Sequence, residues 1–198
     1  MLPFFLDLQD KPVLLVGGGT IALKRGKKLL AAGARITAYA ENFTEEFFAL
    51  DMELKQETFE NQSMEGFWLV IAATDDEKVN GAIARRAKEA RIFCNHVSDG
   101  KSSDLVFPLH LQKSGYDIAI TDSYCLPFLL KGLSQTVEDA LPDFSPADLE
   151  KLSEIRTRIL RQYPGEKEIL LKKLAAMALD NQDLEEEPDE IIRRLKRE

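Results

Sequence analysis

Apolar residues along the first hundred positions come in short runs separated by amphipathic stretches. Residues 12–16 (PVLLV) are continuously apolar, the pattern of a strand buried on both faces. The run passes directly into Gly17-Gly18-Gly19, and residues 20–32 then follow helical spacing up to Gly33, which suits a helix C-terminus. Residues 35–39 (RITAY) predict a second strand, 44–51 a helix and 53–57 a weaker strand. Residues 67–73 (FWLVIAA) predict the strongest strand of the chain, 76–90 the helix after it and 91–94 one more strand. Strand and helix in alternation imply an α/β fold, a Rossmann-type doubly wound parallel sheet.

The pattern changes beyond residue 104. Residues 105–109 and 116–121 predict two strands around a Lys113-Ser114-Gly115 turn, a small β-hairpin. From Pro127 onward the spacing is helical. Ser145-Pro146 is a good helix start, a capping residue followed by proline at the first helical position. Leu149, Leu152, Ile155, Ile159 and Tyr163 then share one face, and Pro164-Gly165 ends it. Residues 166–179 predict another amphipathic helix. The last segment, acidic over 185–187 and basic over 193–197, predicts a solvated terminal helix. The expected division is a Rossmann-type domain over 1–104, a hairpin and helix region over 105–142, and a helical C-terminal domain over 143–198. The apolar faces of the helical tail suit a subunit contact or packing on its own sheet.

Composition narrows the class. The chain has 198 residues, 44% hydrophobic and 30% charged, enough for a real core and too apolar for general disorder. Its net charge of −8 argues against general nucleic-acid binding. No apolar run approaches the roughly 20 residues that span a bilayer, and the first ten residues are acidic where a signal peptide is basic. Cys94 and Cys125 are the two cysteines, each in an apolar stretch without a paired motif, which fits a reducing cytoplasm and small buried side chains. His96 and His110 are the two histidines, and no spacing suggests a metal site. No nucleophile elbow occurs.

The chemistry concentrates at the first glycines. Gly17-Gly18-Gly19-Thr20-Ile21-Ala22 matches G-x-G-x-x-G/A between a predicted strand and a predicted helix, the context of a dinucleotide site. Gly17 permits the tight turn, Gly19 admits a pyrophosphate to the backbone, and Ala22 lets helix and strand pack closely. The helix N-terminus offers unpaired amides and partial positive charge. Glu41, with Asn42 beside it, follows the second strand where an acid would meet the adenosine ribose, which favours NAD over NADP. Thr74, at the end of the strongest strand, can hydrogen-bond the cofactor, while Asp75 or Asp76 caps the next helix.

Taken in order, Pro3-Phe4-Phe5, Val16-Gly17-Gly18-Gly19, Lys24-Arg25, Ala31-Ala32-Gly33-Ala34, Ile71-Ala72-Ala73-Thr74-Asp75-Asp76 with Asn80, and Phe93-Cys94-Asn95 resemble the precorrin-2 dehydrogenase family, the NAD-binding N-terminal module of siroheme synthases. The likeness extends over about residues 2–141. It implies a homodimer, with 1–104 as the NAD-binding domain and 105–142 as the dimerisation region, that uses NAD to oxidise precorrin-2 to sirohydrochlorin. Some relatives also insert ferrous iron into the product. Cofactor contacts carry over to Thr20 and Ile21 and to Glu41 and Asn42.

Two departures fall on the substrate side. Ser98 stands where the family's catalytic aspartate follows the Asn95-His96-Val97 segment, and Asp99 comes one residue late. In extended chain their side chains would point to opposite faces, so Asp99 serves as base only if the loop departs from extension. Asp104 is a second candidate base. The small-residue turn of many relatives is replaced by Thr121-Asp122-Ser123-Tyr124-Cys125-Leu126-Pro127. A polycarboxylate substrate needs local cations, for which Lys101 is the best candidate ahead of Lys24 and Arg25, with Ser98 beside it. Three functions stay open: an NAD-dependent dehydrogenase with Asp99 as base, a non-catalytic NAD-binding dimer, and a bifunctional dehydrogenase and ferrochelatase.

Overall fold

The computed structural model describes residues 2–122, 124, 126–180, 184 and 186–197, which fall into two compact units, Met1–Phe107 and Pro108–Glu198. In the first unit the strands are β1 (Pro12–Val16), β2 (Arg35–Tyr39), β3 (Glu53–Lys55), β4 (Leu69–Ala72) and β5 (Phe93–His96). They form one parallel sheet in the order β3-β2-β1-β4-β5. Helix α1 (Thr20–Ala31) follows β1 and α2 (Glu77–Glu89) follows β4.

The apolar runs of β1 and β4 make the two central strands, so both of their faces are covered. Val13, Leu15, Leu69 and Ile71 pack with Ala22, Leu23 and Leu29 of α1 and with Phe47. Leu14, Val16, Val70 and Ala72 pack with Ile83, Ala84 and Ala87 of α2 and with Phe59, Met64 and Cys94. Each such aliphatic side chain contributes about 1.5–3 kcal/mol on full burial. The run at 67–73 extends past the strand itself, since Trp68 N–H donates to Pro12 O and Ala73 N–H donates to Val16 O. Short β3 is an edge strand carrying a surface Lys55–Glu53 pair, which discourages pairing with another chain.

Chain order reverses at β1: β2 lies on one side and β4 on the other. The register sets Val16 beside Tyr39 and Ala72, and Ala72 beside His96. The carboxyl ends of β2, β1, β4 and β5 therefore open along one edge, the position at which doubly wound sheets bind ligands.

The expected helix at 44–51 is instead a 3₁₀ turn, Glu45–Ala49. Phe47 alone is buried there while Phe48 is 66% exposed. One inward side chain anchors one turn, and Asp51-Met52 then leads into β3.

The second unit begins with an antiparallel hairpin, β6 (Leu109–Lys113) and β7 (Tyr116–Ile120). Ser114 and Gly115 both have positive φ, as a two-residue type I′ turn requires. The first strand thus starts at Leu109, not at 105: the turn fixes Lys113 opposite Tyr116 and Leu109 opposite Ile120, and Pro108 has no N–H for a further ladder bond. Residues 105–107 serve the first unit instead, with Leu105 and Phe107 against its core. Helix α3 (Pro127–Ala140) has its C-terminal carbonyls capped by Lys113, whose Nζ donates to Glu138 O and Leu141 O.

Helices α4 (Pro146–Gln162), α5 (Lys167–Leu179) and α6 (Pro188–Arg197) share a core of Ile155, Ile159, Leu170, Leu174, Met177, Ile191, Ile192 and Leu195. Ser145 and Asp148 form the capping box at the start of α4. The terminal helix is therefore not merely solvated. Pro188, Ile191, Ile192 and Leu195 recur at i, i+3, i+4 and i+7 and are buried, so only its charged face meets water. The tail has a core of its own, while Leu160, Ile169 and Leu179 stay exposed. No helix among the described residues is long and apolar enough to cross a membrane.

Candidate functional site

The glycine turn joins β1 to α1, and its three residues do different work. Gly17 has φ +131° and its N–H donates to Tyr39 O at 2.8 Å. A Cβ there would lie 2.2 Å from Ala73 O, so the turn is pressed against the end of β4. Gly18 is equally confined: a Cβ would lie 2.0 Å from Asn42 O, and its own carbonyl accepts from Thr44 N–H at 2.9 Å. Gly19 differs, because a Cβ there would meet nothing within 4 Å. Two glycines let the chain pack, and the third leaves space in front of the helix.

Gly19 is the N-cap of α1, with no side-chain cap and no acid in the first turn. Its carbonyl accepts from Leu23 N–H at 2.9 Å, so the amides of Thr20, Ile21 and Ala22 precede the intrahelical ladder. Thr20 and Ile21 are exposed, and Ala22 is buried against the sheet. Unpaired amides, the positive end of the helix dipole and an open approach fit a pyrophosphate. The residues present thus fit a dinucleotide. Glu41 and Asn42 are exposed in the loop after β2, brought to the glycine turn through the Gly18 contact.

Helix α2 starts differently. Asp76 is its N-cap, accepting from Lys78 N–H at 2.7 Å and Val79 N–H at 3.3 Å, so of the two candidate acids it is Asp76 that caps. Buried Asn80 clamps the end of β4: its Oδ1 accepts from Thr74 N–H at 2.9 Å and its Nδ2 donates to Thr74 O at 2.9 Å. Thr74 Oγ1 lies 2.8 Å from Asn80 Oδ1 and 3.1 Å from Asp76 O. Both neighbours are acceptors, so the one hydroxyl proton is used internally and Thr74 Oγ1 is left to accept from a ligand.

After β5 the chain turns instead of continuing extended. Asp99 N–H donates to His96 O at 3.3 Å and to His96 Nδ1 at 3.1 Å. The alternation that would set Asp99 opposite Ser98 no longer applies. Ser98 is exposed, with Oγ 3.4 Å from the same imidazole nitrogen. Asp99 caps the 3₁₀ turn Gly100–Ser102: Oδ1 accepts from Lys101 N–H at 2.9 Å and Oδ2 from the Ser102 hydroxyl. The Ser102 hydroxyl first, then the Lys101 amide, hold the Asp99 carboxyl below its ordinary value of 3.8, so it is ionised at neutral pH.

Other candidate groups are distributed less favourably. Asp104 Oδ2 accepts from Cys94 N–H at 3.0 Å and Asp104 N–H donates to Cys94 O, which ties residues 103–105 along β5. Lys101 and Lys24 are exposed. Arg25 is half-buried with its guanidinium 4.2 Å above the Phe107 ring, and burial lowers its pKa. Burial first, then the Asp104 charge, push the Cys94 thiol up to about 12, which makes it inert. Cys125 and Ser123 lie outside the described residues. In the second unit His110 Nε2 pairs with Asp117 at 2.8 Å. No group of three metal-ligating side chains occurs among the described residues.

Three residues of this edge were not signalled as functional by the motif. Gly18 occupies a variable position of the fingerprint, yet its Cβ space is taken by Asn42. Asn80 and His96 are polar residues at core positions, and that conflict between residue type and burial is the signal that finds them.

Residues 4–109 match the protein-family model described as "Putative NAD(P)-binding". Siroheme synthase of Citrobacter koseri is 34% identical over 179 residues, covering 87% of this chain and 39% of that protein. Siroheme synthase 2 of Pectobacterium atrosepticum is 37% identical over 166 residues, covering 80% of this chain and 35% of that protein. The chain thus spans little more than a third of the length of these curated relatives. The solved structure of SirC, precorrin-2 dehydrogenase, matches over 100% of both chains with a TM-score of 0.73 at 23% identity, a likeness of fold. With its glycine turn, parallel sheet and matched residues, the chain belongs to the family of that NAD(P)-binding model and is related in sequence to part of the siroheme synthases.

Proposed function

We propose that this chain is an NAD-dependent dehydrogenase of the siroheme pathway that oxidises precorrin-2 to sirohydrochlorin. The observation that carries the reading is a single edge bearing both an open, uncapped helix end at Gly19 and an ionised carboxylate at Asp99. The amides of Thr20, Ile21 and Ala22 hold the cofactor pyrophosphate, with Gly17 and Gly19 shaping its approach. Glu41 and Asn42 take the adenosine ribose, and Thr74 Oγ1 accepts from the cofactor. When bound, NAD supplies the hydride acceptor. Asp99 removes the macrocycle proton at a carboxylate oxygen, while Ser98 and Lys101 contact the substrate and the lysine meets its carboxylates.

An ionised aspartate with a depressed pKa is a ready acceptor but a weak one. General-base assistance contributes typically about 10²–10⁴-fold, whereas positioning contributes as much as about 7–11 kcal/mol. The chemistry therefore depends more on placement than on basicity. Exposed Tyr124, Phe128, Leu129 and Leu133 support a homodimer built on the 105–142 region, with 143–198 as a helical domain.

The test is incubation of the purified protein with precorrin-2 and NAD. Sirohydrochlorin formation that falls at least about 100-fold in Asp99→Ala, with NAD affinity unchanged, supports the reading. Ser98 at the aspartate position favours one second reading, a non-catalytic NAD-binding dimer. NAD binding without turnover would establish that reading and refute the first.

A further inference from the structure

His96 is a polar ring at a core position, 3% exposed at the end of β5, and the proposed chemistry leaves it unused. By register it shares the sheet face of Ala72 and Cys94, where an apolar side chain would pack well. What the imidazole adds is an acceptor. Its Nδ1 takes the Asp99 amide at 3.1 Å, shorter than the 3.3 Å contact of that amide with His96 O, and it has Ser98 Oγ at 3.4 Å. Its main chain is fastened as well. His96 N–H donates to Ser103 Oγ at 2.8 Å, and the Ser103 hydroxyl lies 3.1 Å from both His96 O and Asp99 O.

We propose that His96 is a positioning residue: its unprotonated Nδ1 closes the 96–99 turn and thereby sets where Ser98 and Asp99 stand at the substrate side. The inference rests on the dehydrogenase reading for its catalytic consequence, but its structural content stands apart. An amide N–H can donate to Nδ1 only when that nitrogen carries no proton, which specifies the neutral imidazole with its proton on Nε2. The turn also answers the one-residue offset of the acid. Without the ring acceptor, the Asp99 amide keeps only the longer carbonyl contact, and the Ser103 hydroxyl beside His96 O and Asp99 O is left to hold a looser turn.

The variants follow from acceptor geometry. In His96→Asn the side-chain oxygen can stand where Nδ1 stood, whereas His96→Leu removes the acceptor and His96→Gln carries it one bond further. Heteronuclear NMR of the wild-type protein is expected to show Nδ1 as the unprotonated imidazole nitrogen. The Asp99 amide resonance should be near its wild-type position in His96→Asn and displaced in His96→Leu and His96→Gln. With precorrin-2 and NAD, kcat is expected to fall about 100-fold in His96→Leu, the scale of a 1 Å misplacement, and to recover at least tenfold of that in His96→Asn, with NAD affinity unchanged throughout. A protonated Nδ1 in the wild type, or an Asp99 amide indifferent to all three substitutions, would overturn the proposal. So would equal kcat in His96→Asn and His96→Leu. Absence of wild-type turnover would sink the dehydrogenase reading instead, and the NMR outcome would then decide the His96 contact by itself.

Discussion

Replacing Gly19 by valine separates cofactor binding from folding. At Gly19 the backbone is extended, with φ −86° and ψ −175°, a conformation open to any L residue. The added side chain meets no protein atom within 4 Å at its Cβ. The folding cost is therefore confined to a less favourable N-cap residue, on the order of 1 kcal/mol, or about 4–8 °C in melting temperature for a unit of this size. Binding is another matter. The valine methyls occupy the approach to the Thr20, Ile21 and Ala22 amides, where hydrogen bonds to a charged group contribute about 1.5–3 kcal/mol each. Loss of two such bonds removes about 3–6 kcal/mol, a weakening of at least about 100-fold. Gly18→Ala is the contrasting variant. Its methyl would stand 2.0 Å from Asn42 O and 2.9 Å from Ala40 Cβ, so the loop must shift before any ligand is considered. Calorimetric titration with NAD, paired with thermal melts of both variants, measures the two effects. NAD affinity within threefold of wild type in Gly19→Val would refute the assignment of this turn to the pyrophosphate.

Asp99 should titrate below its ordinary 3.8, and Ser102→Ala should raise it towards that value, as followed by carboxyl NMR. Because the folded pKa is depressed, the linked stability is present above the unfolded value and is lost as pH falls through the folded one. Asn80→Leu leaves the part-buried Thr74 amide and carbonyl without their partners; a loss of about 2 kcal/mol is expected in denaturant melts, the low end of the about 1–3 kcal/mol that each unpaired group costs when fully buried. Glu41→Ala should narrow the preference for NAD over NADP in binding titrations by removing a carboxylate that repels a 2′-phosphate; an unchanged ratio would remove Glu41 from the ribose site.

The central strands were legible because burial on both faces leaves continuous apolar runs at 12–16 and 67–73. The same logic misplaced the start of the hairpin. Leu105 and Phe107 are apolar because they cover the core of the first unit, and periodicity does not say which neighbour an apolar residue serves. At 44–51 the apolar content was real, but only Phe47 turns inward. Over the last segment the conspicuous charges masked the stripe of Ile191, Ile192 and Leu195. At the candidate site, the glycine turn from Gly17 to Thr20 was readable as a turn because local geometry dictates its spacing. The confinement of Gly18 by Asn42 and the grip of His96 on the Asp99 amide depend on contacts that only the folded chain creates.

The difference between the two helices that begin at this edge has a directional consequence. The opening of α2 is already neutralised by Asp76 from within the chain, whereas α1 begins bare. A diphosphate approaching this edge would therefore meet one attractive pole beside one that is quenched, which selects the helix it docks on before any ring is recognised. The choice between the two helices is made by a missing carboxylate.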